Sequence, residues 1–161
     1  MDELPGLPGT YIVVLYAARK KSVCVGMRGI FEFVRGYYAY VGSAFGPGGM
    51  RSRIKRHLAL MKPKHWHIDY LRAETIVREI WFTRHPVSLE HEWARALHAS
   101  PEACRPISGF GCSDCTCGAH LFHFTTRPDP LVLSSGVKIE RLRIGRGSNH
   151  PVTMETIARG C

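Results

Sequence analysis

Residues Thr10–Tyr16 (TYIVVLY) are almost continuously apolar and rich in β-branched side chains, the pattern of a strand buried on both faces. A turn region, Pro5-Gly6-Leu7-Pro8-Gly9, precedes it, and Arg19-Lys20-Lys21 ends it. Ser22–Met27 and Ile30–Val34 read as two strands around Arg28-Gly29, a hairpin signal. Arg35-Gly36 then turns the chain into the strand-like Tyr37–Gly42. The first 44 residues or so therefore predict a three- or four-stranded antiparallel sheet.

Beyond Phe45-Gly46-Pro47-Gly48-Gly49 the period changes. Met50, Ile54, Leu58 and Met61 stand at i, i+4, i+8 and i+11, which predicts an amphipathic helix from Met50 to Met61, stopped by Pro63. His65–Leu71 suggests a short helix or turn, and Thr75–Thr83 (TIVREIWFT) a strand. Ser88 suits the N-cap of a helix running to about His98, with Leu89, Trp93, Ala96 and Leu97 on its apolar face. Residues 101–118 read as a loop with four cysteines, and His120–Thr125 as a strand returning to the sheet edge. Val137–Ile144 offers one more strand, and a poorly ordered end is expected after it. The order β-β-β-α-β-α-β places the chain in the α+β class.

A length of 161 residues and 45% hydrophobic content suit one core and are too small for two ordinary domains. The longest obvious apolar stretch, Tyr11–Ala18, is far shorter than the roughly 18 residues of a membrane span, so no membrane partner is expected. Met1-Asp2-Glu3-Leu4-Pro5 lacks the basic and apolar regions of a secretory signal. A cytoplasmic chain is expected, its six cysteines held as thiols or metal ligands. Twenty-two Lys and Arg against 13 Asp and Glu leave a net charge of +9, which by itself suits a polyanionic partner or an acidic membrane surface.

The charge is concentrated. Arg51, Arg53, Lys55, Arg56, Lys62 and Lys64 fall within residues 51–64 with no acid between them, and His57, His65 and His67 stand beside them. Such a face suits phosphate contacts, although a solvated helix face looks the same in sequence. Arg53 and His57, four apart, share a helical face. Together they offer a cation for a phosphate and a base for water, or two surface side chains. Glu90 and Glu92 open the second long helix, where acids complement the dipole and also suit a hard divalent cation. Cys112, Cys115, Cys117, His120 and His123 are residue types that zinc accepts, or packed thiols and imidazoles. Asp114 suits a turn cap. The His65-Trp66-His67-Ile68-Asp69-Tyr70 segment suits phosphate contact or aromatic packing equally.

In order, these pieces resemble the GIY-YIG nucleases. Gly9-Thr10-Tyr11 and Tyr40-Val41-Gly42 look like that family's paired signatures, followed by a glycine-rich loop and the Arg53-x-x-Arg56-His57 helix. More narrowly, the stretch Gly36–Ala44, the segment His65–Leu71 and the Cys/His stretch Gly109–Phe122 resemble the Uri-type branch, a poorly characterised domain also found fused to base-excision glycosylases. The resemblance implies a small GIY-YIG-like sandwich, a central antiparallel sheet flanked by helices, over residues 9–126. Residues 127–161 would be a C-terminal extension, partly disordered.

The resemblance further implies an endonuclease that hydrolyses DNA phosphodiester bonds with Mg²⁺ or Mn²⁺. Tyr11 then stands at the water-activating tyrosine, Tyr40 at its partner, Arg53 at the phosphate-binding arginine and His57 at a helper of the tyrosine. Glu90 takes the metal-ligand position, with Glu92 in reserve. Ser43, Arg51, Lys55, Arg56, Lys62, Lys64, His65 and His67 would line the nucleic acid, with DNA-repair proteins as further partners. A zinc ion on Cys112, Cys115, Cys117 and His120 is a subsidiary expectation. Tyr11 and Tyr40 lie 29 positions apart, wider than in compact members, so Ser22–Val34 must be an inserted β-hairpin. The rival readings are a nucleic-acid-binding module that cuts nothing and a zinc-bearing structural adaptor.

Overall fold

The computed structural model describes residues 4, 6–103, 105–111, 116–133, 136–145 and 151–157. Its frame is a seven-stranded antiparallel sheet. The strands are β1 (Thr10–Ala17), β4 (Gly36–Ser43), β5 (Ile76–Thr83), β6 (Arg105–Pro106), β7 (Leu121–Phe124), β8 (Ile139–Ile144) and β9 (Pro151–Ile157). Their spatial order is β6-β7-β4-β1-β5-β8-β9. The apolar run read from the sequence as doubly buried is the middle strand: β1 pairs with β4 on one side and β5 on the other.

Alternation along β1 feeds two cores. Tyr11, Val13 and Leu15 pack with α1 (Gly49–Leu58), α2 (His67–Arg72) and the hairpin of β2 (Lys21–Cys24) and β3 (Ile30–Phe33). Ile12 and Val14 face the opposite side, against Trp93, Ala94 and Leu97 of α3 (Glu90–Ala99). Helices on both faces exclude water from both sides of the middle strands. Each large apolar side chain buried this way contributes roughly 1.5–3 kcal/mol. The architecture is α+β, with the helix-flanked antiparallel sheet expected.

Several boundaries differ from the sequence reading. The first 44 residues do not form one sheet: β2 and β3 pair only with each other, around a 3₁₀ turn at Gly26–Arg28, while β1 pairs directly with β4. Helix α1 stops at Leu58, and Met61, which fits the apolar period, is 95% exposed. Ser88 does not cap α3: Leu89 occupies the N-cap position, and its N–H donates to Thr10 Oγ1 at 2.9 Å. Strand β7 is not the edge, because the two-residue β6 pairs outside it. The expected strand before Ile144 is present as β8, paired with β5. The sheet therefore continues across the 126/127 boundary. Residues 151–157, expected to be poorly ordered, pair with β8 as β9. No helix among the described residues is long and apolar enough to cross a membrane.

Candidate active site

The candidate site lies at the end of the sheet where β1 begins and β4 finishes. A cleft of about 290 Å³ opens there, lined by Tyr11, Tyr40, Ser43, Arg53, Trp66 and Glu90, with His65 and His67 also on its wall. In the β1/β4 register Tyr11 stands opposite Gly42, and Val13 opposite Tyr40. Both tyrosines therefore project from the same face. A Cβ at Gly42 would lie 2.6 Å from the Tyr11 hydroxyl oxygen, so the glycine makes room for the phenol.

Helix α1 delivers His57 beneath them. Its Nε2 lies 2.8 Å from the Tyr11 hydroxyl, and its ring stands 5.9 Å from that of Tyr40. His57 is buried, and burial first, then the cations Lys62, Arg53 and Arg56, lowers its pKa to about 3 despite Asp69. Burial likewise raises the Tyr11 pKa well above the ordinary phenol value. Tyr40, Glu90 and Asp69 add to this and Arg53 opposes it. At neutral pH the pair is an uncharged phenol and an uncharged imidazole with a lone pair to offer.

The backbone of His57 is fixed by a residue the sequence reading overlooked. Buried Arg72 donates from Nε to the His57 carbonyl (2.8 Å), from Nη2 to that of Leu58 (3.0 Å) and from Nη1 to that of Thr75 (2.7 Å). It satisfies the end of α1 and ties it to α2 and the turn before β5.

Arg53, one turn before His57, lays its guanidinium over the Trp66 ring at 4.6 Å from the centroid. Arg56 contacts the same ring at 4.6 Å. Among the described residues Arg53 forms no ion pair, so its charge is held in the cleft by a cation–π contact rather than by a carboxylate. Trp66 is itself placed by Asp69. This buried carboxylate accepts from the backbone N–H of His65 (2.9 Å) and Trp66 (3.0 Å) and pairs with Arg56 and Lys62, each at 2.7 Å. Burial pushes the Asp69 pKa up, but the Lys62 bond and the two N–H donors outweigh it and hold it at about 2. Asp69 thus shapes the loop rather than facing the cleft.

Glu90, the first residue of α3, faces the cleft from the other side of the sheet end. One carboxylate oxygen accepts from the Ser43 hydroxyl, and the other lies 3.1 Å from His120 Nδ1. Burial raises its pKa, yet His120 and Ser43 together bring it below the usual glutamate value, so the group is ionised. An ionised carboxylate fixed at two oxygens, beside two tyrosines and an arginine with no ion pair among the described residues, fits a single hard divalent cation that completes its shell with water and phosphate oxygens. Glu92 is exposed and outside the cleft.

The basic residues divide into two groups. Arg56 and Lys62 are engaged with Asp69, whereas Lys55 is exposed on α1. Exposed Arg51 donates to the Leu4 carbonyl (2.9 Å), and exposed Lys64 sits 4.9 Å from the Tyr70 ring centroid. His67 accepts from the Gly111 N–H at 3.3 Å, and burial, then Arg28, lowers its pKa. Cys112, Asp114 and Cys115 lie outside the described residues. His123 places its Nε2 3.1 Å from the Arg35 carbonyl and is not in the His91, Cys117 and His120 group. Cys117 instead meets His91 of α3, whose Nδ1 lies 3.0 Å from the sulfur. The sequence reading did not include His91, because 26 positions separate the two.

No curated protein and no solved structure matches the chain. A family described as Domain of unknown function DUF123 matches residues 10–140.

Proposed function

The chain belongs to the DUF123 family, and we propose that this member is a metal-dependent endonuclease of the GIY-YIG type, in its Uri-type branch, hydrolysing DNA phosphodiester bonds. The observation that carries the reading is the buried 2.8 Å contact between Tyr11 and His57, set in one cleft with Arg53 and Glu90. The long motifs of the Uri-type branch supply its type.

In this reading Arg53 binds the scissile phosphate. Burial is the main cause that lowers His57, and a phosphate on Arg53 offsets the smaller part owed to the nearby cations, which makes the imidazole a better acceptor. A water poised on the phosphorus gives a proton to the Tyr11 oxygen as Tyr11 passes its own to His57 Nε2. The water oxygen forms the new P–O bond, the ester P–O bond breaks, and the departing oxygen is protonated from solvent. Glu90 would hold Mg²⁺ or Mn²⁺, which would neutralise charge on the phosphate and the leaving oxygen. Exposed Arg51, Lys55 and Lys64 would track the backbone of the nucleic acid. The cysteine-bearing loop suits a reducing, cytoplasmic setting.

The test is nicking of end-labelled single-stranded, duplex and forked DNA with Mg²⁺, Mn²⁺ or EDTA. Metal-dependent cleavage is expected, reduced about 10²–10⁴-fold in Tyr11→Phe, the range of general acid–base effects. Arg53→Ala and Glu90→Ala should also abolish it with folding intact. Tight binding without cleavage of any substrate under any metal would replace the nuclease with a binding module.

A further inference from the structure

We propose that His91, Cys117 and His120 form a zinc site on the outer side of Glu90, separate from the catalytic cation. One ligand atom from each residue lies within 4.8 Å of those of the other two. Ligands around a tetrahedral zinc stand roughly 3.3–3.6 Å apart, given Zn–N of about 2.0–2.1 Å and Zn–S of about 2.3 Å. The 3.0 Å contact of His91 with Cys117 and the 4.8 Å limit on the set bracket that spacing. A thiol hydrogen bond explains the 3.0 Å approach of Cys117 to His91. Glu90 holds His120 from its Nδ1 side, which leaves its ring 5.9 Å from that of His91 and its Nε2 as the donor to the same centre.

The donor set also selects the metal. Two imidazoles and a thiolate favour zinc over magnesium or calcium, which seek oxygen. The ligands come from two elements: His91 from the first turn of α3, and Cys117 and His120 from the loop leading into β7. His120 turns Nδ1 towards Glu90, so Nε2 is the nitrogen assigned to the metal. A carboxylate, a histidine and a metal in line fix the ring tautomer and the direction of the carboxylate. Zinc would thereby pin the cysteine loop to α3 and hold Glu90 in place. The site stands whether or not the cleft cuts DNA.

The experiment is elemental analysis of the full chain, expressed with zinc in the medium and desalted. Wild type is expected to carry about one zinc per chain, and Glu90→Gln to keep it. His91→Ala and Cys117→Ser should each retain less than half. Cobalt exchanged into wild type should give a thiolate-to-cobalt absorption band in the near ultraviolet, absent from Cys117→Ser. His91 is exposed, so its replacement leaves the core untouched and tests the site even if Cys117→Ser fails to fold. Zinc-free wild type, more than half the zinc retained in His91→Ala, or a cobalt protein lacking the band would overturn the site. Loss of nicking in zinc-loaded Glu90→Gln would bear on the catalytic reading alone.

Discussion

A histidine kept neutral down to about pH 3 ties the stability of this fold to acid. In the unfolded chain the same ring takes up a proton near pH 6.5. Between those values the unfolded state binds the extra proton, so stability is complete above about 6.5 and is lost as pH falls towards 3. At about 1.4 kcal/mol per unit, the loss reaches several kcal/mol at the acid end. Asp69 acts in the same direction but only below the ordinary carboxylate range, down to about 2. Melting curves at pH 7, 5.5 and 4.5 should show wild type losing more stability than His57→Gln over that interval. Parallel losses would clear His57 of the effect. At this scale the sequence was informative where order along the chain carries the information. Tyr11, Tyr40, Arg53 and Glu90 line one cleft, and His57 lies buried behind it against the Tyr11 hydroxyl. His91 and Arg72 were illegible because their partners are brought to them by the fold.

Among the elements, α1 shows how periodicity misleads at an end. Met61 continues the apolar spacing, yet the helix stops at Leu58, where Arg72 gathers the terminal carbonyls and Lys62 donates to the Arg56 carbonyl at 2.6 Å. A local pattern cannot register a cap supplied by a side chain 14 residues later. Arg72→Met should leave buried carbonyls unpaired and cost about 2–5 kcal/mol, read as a shift in the urea midpoint. A change under about 0.5 kcal/mol, the usual range of a surface substitution, would mean that water replaces the guanidinium. The hairpin was legible as an element but not as a separate sheet, because strand patterns do not name their partners.

Across the whole molecule, the sheet is larger than the segment that carries the catalytic motifs. Strand β8 pairs along the outer edge of β5 opposite Ile80, Trp81 and Phe82, and contributes Leu142 to one core and Ile139 to the other. Strand β9 was hidden in a Pro-, Gly- and Ser-rich tail and exists through its pairing with β8. A protein ending at residue 126 would keep every proposed catalytic residue but bare a long apolar strand edge, a template for association. Size-exclusion chromatography should find it aggregated where the full chain is not. A monomer with unchanged melting temperature would show that the cleft needs only the inner strands.

The contact of Arg53 with Trp66 has an optical consequence. Trp81 and Trp93 are fully buried, while Trp66 is partly exposed on the cleft wall. Emission at the red edge of the fluorescence band therefore comes mainly from one indole of three, and that indole is touched by the guanidinium assigned to phosphate. An oligonucleotide that draws Arg53 towards its backbone should change this emission and shield it from iodide quenching, leaving the two buried indoles dark to the event. Binding at the cleft would then be visible in unlabelled protein, before any bond is cut.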